Sequence, residues 1–320
     1  MVPTMISRRL FVSGLTASGI VVGAQPARSG SIETLTLGFQ KTGIPLVARL
    51  LKIFERRFEK RGIAVNWVEF TSGLNLLQAM DIGNVSFGNA GNVGCIFVQA
   101  SGGQIVYLAG QPSGPKSEGI LVKGSSPIRS IADLKGKKVG YAKGSSSHNL
   151  IAAALEQNGL SIADITSVSL GAADAALAFE NGSIDAWVVW DPYFALAQAR
   201  SETRVLTYSG DILPDNASFL LANSTFANSH PELVRDLIDG SAEAGAWAKA
   251  HLDEVKAALS QATGINPKVL AEVNARASFD VVPLSDAILS QQQKTADRLT
   301  RLGVVPKQIS VRDIVWRPPA

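Results

Sequence analysis

The 320-residue sequence has a single cysteine, Cys95, and three histidines, His148, His230 and His251. One cysteine excludes an intramolecular disulfide framework and any CxxC metal or redox site. So few histidines and cysteines leave no set of residues for a metal centre, so neither metal nor cofactor is expected. Charge is also scarce: 18% of residues are charged and 46% are hydrophobic, which excludes a disordered or fibrous chain and suffices for one large core or two medium ones. The net charge of +3 includes Arg8 and Arg9, and falls by these two to +1 once a segment carrying them is removed. No run of Lys and Arg is interleaved with aromatics, so the electrostatic footprint of a nucleic-acid binder is missing and no nucleic-acid partner is expected.

The N-terminus carries the longest apolar stretch. In "SRRLFVSGLTASGIVVGA", Arg8 and Arg9 precede an apolar run from Leu10 to Gly23, and small residues follow at Val22, Gly23 and Ala24. A run of about 14 residues is too short for ~30 Å of hydrocarbon. A charged start, a short apolar middle and a small-residue end read as an export signal over residues 1–27, cleaved near Ala24 or Ala27. The adjacent arginines ahead of Leu10 and Phe11 resemble a twin-arginine signal; an ordinary Sec signal is the alternative. Export without disulfides points to the periplasm.

Past residue 32 the chain alternates strand-like and helical patterns. "TLTLGF" reads as a strand, "PLVARLLKIFERRFEKR" as one helix begun by Pro45, "VNWVEF" as a strand and "SGLNLLQAM" as a helix. This rhythm predicts a mostly parallel sheet with helices on both faces. Turn-rich stretches at Gly110–Gly119 and Tyr208–Ser218 interrupt it, and between them one complete α/β pattern restarts. The organisation fits two α/β lobes joined by two hinge crossings, with 33–112 and 217–320 in one and 118–210 in the other. A ligand would then sit between the lobes, where strand ends and helix starts face each other. Three helix starts qualify: Thr71, Ser72 and Gly73; Asn89 to Asn92; and Gly144 to Ser147. Free N–H groups and the positive helix end favour an anion at each.

The stretch "KGSSSHN", Lys143 to Asn149, separates the function classes. A P-loop needs a Gly-Lys pair at a fixed distance, which is absent here. A nucleophile elbow needs a second glycine after the serine, also absent, so no catalytic residue is assigned. Simple helix capping accounts for one serine better than for all three.

"WVEF" (Trp67–Phe70), "KGSSSHNL" (Lys143–Leu150), "DAWVVWDPY" (Asp185–Tyr193), "QQQKTAD" (Gln291–Asp297) and "VPKQISVRDIVW" (Val305–Trp316) together resemble the aliphatic-sulfonate-binding proteins of ABC importers. The resemblance implies a type II periplasmic binding-protein fold, an aliphatic sulfonate as ligand, an ABC transporter permease in the inner membrane as partner, and a monomer rather than an enzyme. It also implies that Gln40, Ser72, Gly73, Ser145, Ser146, Ser147 and the Trp190–Asp191 turn face the sulfonate. To these the helix starts add Asn92 and His148, the latter expected neutral and donating one hydrogen bond. Trp190 offers a flat apolar wall for an alkyl tail, and Asp191 is expected to pin the Pro192 turn. No buried arginine is required, and Lys41 reads either as a source of field or as a solvated lysine.

The resemblance weakens at Gly88–Cys95, where Asn92 and Gly94–Cys95 replace the acidic residue and proline pair of the sulfonate binders. A missing carboxylate disfavours taurine, with its amino group. Cys95 reads as a small buried apolar residue. Taurine, nitrate or a thiamine-pyrimidine precursor as ligand, or an enzyme on the same fold, are the alternatives.

Overall fold

The computed structural model describes residues 32–41 and 43–318, and the segment read as an export signal lies outside them. The chain forms β1 (Thr34–Phe39), β2 (Ala64–Glu69), β3 (Phe87–Gly91), β4 (Ile105–Pro112), β5 (Glu118–Lys123), β6 (Lys138–Tyr141), β7 (Thr166–Ser169), β8 (Ala186–Trp190), β9 (Thr203–Tyr208) and β10 (Ala217–Asn223). These assemble into two five-stranded sheets, β2-β1-β3-β10-β4 and β7-β6-β8-β5-β9.

The sheets are mixed rather than mostly parallel. β1 pairs in parallel with β2 and β3, and β6 with β7 and β8. β10 runs antiparallel to β3 and β4, and β5 antiparallel to β8 and β9. Both exceptions are strands that enter a sheet straight from a crossing. The crossings leave from the C-terminal ends of β4 and β9, so a strand that begins there runs opposite to its neighbours.

Continuous apolar runs arise because the central strands are covered on both faces. In β10, Leu220 and Ala222 point into a cluster with Leu35, Phe54 and Phe87, while Phe219 and Leu221 point into another with Leu76, Leu77 and Ile96. In the second sheet, Ile120, Val122, Ala186 and Val188 pack with Leu150 and Ile151, and Leu121, Trp187 and Val189 pack with Phe179 and Phe194. Alternation with period two thus survives inside runs that hydropathy reads as uniform.

Two long helical patterns are broken. The expected helix from Pro45 is two, Ile44–Leu50 and Ile53–Glu59, with Lys52 left-handed at φ 52° between them. The Arg56 guanidinium donates to the Leu51 carbonyl freed by this break. The pattern from Pro231 divides at His251 into Pro231–Ala250 and Leu252–Thr263. No helix among the described residues is long and apolar enough to cross a membrane.

Residues 113–117 and 209–216 connect the sheets and lie against each other. The Gly210 amide donates to the Pro115 carbonyl over 2.9 Å. A Cβ on Gly210 would stand 2.8 Å from Pro115 Cα, so only glycine lets the two connections meet here.

Candidate ligand-binding site

The helix Ser146–Gln157 starts at the edge of the second sheet with Ser145 as its N-cap. His148 and Asn149 amides both return to the Ser145 carbonyl, at 3.1 and 3.3 Å, while the amides of Ser146 and Ser147 find no partner among the described residues. Gly144, at φ 78°, turns the chain so closely onto the Asn92–Ala100 helix that a Cβ there would lie 3.2 Å from the Phe97 ring. The start of the serine helix is thereby brought against the middle of the helix Asn92–Ala100.

The three serines differ in their partners. Ser145 Oγ donates to the Ala142 carbonyl at 2.7 Å and lies 2.8 Å from Ser147 Oγ, so in that pair Ser147 supplies the hydrogen. Ser147 is fully buried, whereas Ser145 and Ser146 are half-buried. Ser146 Oγ donates to Glu118 Oε1 at 2.8 Å. All three hydroxyl hydrogens are thus directed to protein acceptors, and the free donors are the two amides.

Glu118, at the first position of β5, is the residue that the reading of the sequence missed. It is 5% exposed, and burial pushes its carboxyl up to about 7 against the opposing pull of the Ser146 hydrogen bond. It stands opposite Trp190 in the β5–β8 register. The Asn92 position indeed lacks a carboxylate, but one reaches the serine helix from β5, which removes that argument against a ligand with an amino group. An acidic residue heading the apolar run "GILVK" was the available signal.

Gly144 N–H reaches His148 Nδ1 over 3.3 Å, so the hydrogen of the neutral ring sits on Nε2. Burial, then the nearby Lys143, hold it below the usual histidine range, and its ring stacks on Tyr141 at 5.0 Å. It is a brace for the serine turn. The neighbouring Asn149, fully buried, accepts from Arg298 at 2.7 Å and donates to Thr295 at 3.3 Å, both on the helix Asp286–Arg301.

On the first sheet, Ser72 caps the helix Gly73–Asp81, its Oγ accepting from Asn75 N at 3.2 Å, which leaves its hydroxyl hydrogen free for another acceptor. Gln40 Nε2 lies 3.4 Å from the Asn89 carbonyl. Asn89 donates to Gln111 at 3.4 Å, and its buried Oδ1 has no partner among the described residues. Asn92 is committed elsewhere: Nδ2 donates to Asn216 Oδ1 at 2.7 Å and Oδ1 accepts from Val93 N at 2.8 Å, tying this helix start to the second connection. Lys41 is exposed and pairs with Glu69 at 3.6 Å, the solvated alternative. Cys95 is buried, donates to the Gly91 carbonyl at 3.3 Å, and has its thiol raised by burial.

Trp190 is half-buried at the end of β8. Asp191 accepts from Ala195 N at 3.0 Å, which caps the next helix, and faces Arg276 Nη1 at 3.5 Å. Burial raises its carboxyl to about 6, opposed first by Arg276. Arg276 is a half-buried arginine that spacing did not anticipate. It also donates to Gln198 at 2.8 Å and lies over the Phe194 ring at 5.1 Å. Two surface depressions, of about 310 and 490 Å³, lie away from these residues. No group of three or more potential metal ligands occurs among the described residues.

The serine turn offers two free amides at a helix start, while Ser72 caps a helix on the first sheet and Trp190 ends β8 opposite Glu118. Comparison with known proteins gives the family. The family described as "NMT1/THI5 like" matches residues 57–255. A protein of Escherichia coli named for aliphatic-sulfonate binding is 37% identical over 294 residues, covering 91% of each chain. The crystal structure of the periplasmic aliphatic sulphonate binding protein SsuA from Escherichia coli superposes with a TM-score of 0.85 at 36% identity, covering 90% of this chain and 94% of that one. The alkanesulfonate-binding protein SsuA from Xanthomonas axonopodis pv. citri, bound to MOPS, superposes with a TM-score of 0.82 at 33% identity, covering 90% and 99%. With two mixed five-stranded sheets joined by two crossings, the chain has the periplasmic binding-protein fold and belongs to the NMT1/THI5-like family, among its aliphatic-sulfonate-binding proteins.

Proposed function

We propose that this protein is exported to the periplasm, captures an aliphatic sulfonate between two lobes and delivers it to an ABC transporter permease, acting as a monomer and without catalysis. The lobes would be residues 33–112 with 217–320, and residues 118–210, closing at the two connections. The export signal is assigned to residues 1–27.

The observation that carries the reading is the pair of unpartnered amides, Ser146 and Ser147, on a helix start brought against Phe97 of the opposite sheet. A sulfonate accepts through three oxygens. Hydrogen bonds to a charged group contribute roughly 1.5–3 kcal/mol each, so two amides, the Ser72 hydroxyl and one further donor reach the ~8 kcal/mol of micromolar affinity. Trp190 lines the path of the alkyl tail. The identity of the related sulfonate binders supports the ligand class.

Thermal shift of the mature protein against alkanesulfonates of increasing chain length, taurine, nitrate, sulfate and a thiamine-pyrimidine precursor tests this, since a ligand of the native state raises its melting temperature. Alkanesulfonates are expected to stabilise it, with chain-length dependence reduced in Trp190→Ala. A response confined to the thiamine precursor would reject the sulfonate reading.

A further inference from the structure

A buried carboxylate is an odd neighbour for an anion site. Glu118 is 5% exposed and bonded to Ser146, whose own amide is one of the two free donors. While Glu118 is ionised it draws the Ser146 hydroxyl hydrogen to itself, so that hydroxyl presents only lone pairs to an incoming anion. The carboxylate and the anion would also share a region with little water to screen them. If Glu118 holds a proton instead, its own O–H donates to Ser146 Oγ and the serine hydrogen turns toward the ligand. Two obstacles vanish with one proton.

We propose that Glu118 is the positioning residue of this site and takes up one proton from solvent when an anion binds at Ser146 and Ser147. This rests on the functional reading above and adds the protonation that accompanies binding. Other ionisable groups lie around the β5 start: Lys116 in the connection, over the Tyr208 ring at 5.7 Å; Lys143 and neutral His148 on the serine turn and helix; and Asp191, paired with Arg276. None of them contributes to the displacement of Glu118, which comes from burial with Ser146 in opposition, so its titration is local. Burial already raises this carboxyl to about 7, and a negative charge placed beside it moves it further toward the protonated form. A sulfonate itself stays ionised throughout this range and cannot be the source of a pH dependence.

Titration calorimetry of the mature protein with ethanesulfonate from about pH 6 to 9 tests the proposal. Bis-Tris and imidazole are used at the acid end and Tris and tricine at the alkaline end, because a sulfonate buffer would compete. Heats compared between buffers of different ionisation enthalpy count the protons exchanged. Uptake of about one proton is expected near pH 8.5 and close to none near pH 6, with affinity falling by about tenfold per pH unit on the alkaline side. Glu118→Gln should bind with no uptake and a flat pH profile, and more tightly than wild type at high pH. Wild-type binding with no proton uptake at any pH overturns the proposal and leaves the sulfonate reading standing, and so does an uptake that persists in Glu118→Gln. Absence of ethanesulfonate binding across the whole range in folded protein overturns both. If Glu118→Gln does not fold, the wild-type proton count decides alone.

Discussion

Arg298 donates to Asn149 Oδ1 over 2.7 Å, joining a helix from the C-terminal stretch to the last residue of "KGSSSHN". Its Nε reaches Glu156 on the same side at 2.7 Å, and Arg301 reaches Glu156 at 3.0 Å. The serine helix is thus held from behind by the helix Asp286–Arg301. Asn149→Ala should leave a half-buried guanidinium N–H and the Thr295 hydroxyl short of a partner. A stability loss of about 1–3 kcal/mol is expected in urea denaturation. Loss of under ~0.5 kcal/mol would mean that Glu156 alone holds Arg298.

Ser146→Asp places a second carboxylate beside Glu118, at a point where Ser146 Oγ now lies 2.8 Å from it. A helix start tolerates an acidic residue, so the protein should remain folded. The added charge opposes a bound sulfonate, and calorimetry should detect no binding. Affinity close to wild type would reduce the serines to a helix cap.

Stability should carry an imprint of Glu118. Its folded value of about 7 lies above its ordinary 4.5, so the folded state binds the proton more tightly than the unfolded chain. This contribution is complete below pH 4.5 and is lost as pH rises through 7, by about 3 kcal/mol. Asp191, raised to about 6, acts with the same sign, whereas depressed His148 acts with the opposite sign. Denaturation at pH 5 and pH 8 should therefore show Glu118→Gln losing less stability across that interval than wild type; an equal loss would place the slope elsewhere.

Arg276→Met should strip Asp191 of its countercharge in a place where the carboxylate side chain is 6% exposed. Breaking such a pair from one side costs about 3–5 kcal/mol when fully buried, and somewhat less is expected at a separation of 3.5 Å. Adding Asp191→Asn should recover most of the loss. A double variant as unstable as the sum of the singles would show that the two residues act independently.

Gly210→Ala tests the contact between the two connections. The new Cβ meets Pro115 backbone, which has to shift. A loss of about 1–3 kcal/mol is expected, together with altered compaction on ligand binding in small-angle scattering. Unchanged stability and scattering would mean that the connections separate without cost.

Much of the architecture was readable along the chain because it is written in short-range patterns. Turn residues marked both connections, the strand runs fell within a residue or two of β1 and β2, and "GSSSHN" announced a helix start. Local patterns carry no information on strand direction across a connection, so the antiparallel insertion of β5 and β10 went unread. Nor did the periodicity of residues 45–61 signal the left-handed break at Lys52, since the apolar spacing continues through it.

By itself the sequence determined the alternation of strands and helices, the places where the chain leaves one sheet for the other, and the absence of cysteine or histidine clusters for redox or metal chemistry. Which side chains meet at the site was decided only in three dimensions. Glu118 and Ser146 are 28 residues apart, Asn92 and Asn216 are 124 apart, and Asn149 and Arg298 are 149 apart. Such partners are set by sheet order and by the stacking of one half on the other. The same stacking removes water from Glu118 and Asp191, and burial of a carboxylate, which raises its proton affinity, is a property of the surroundings that no residue type carries alone.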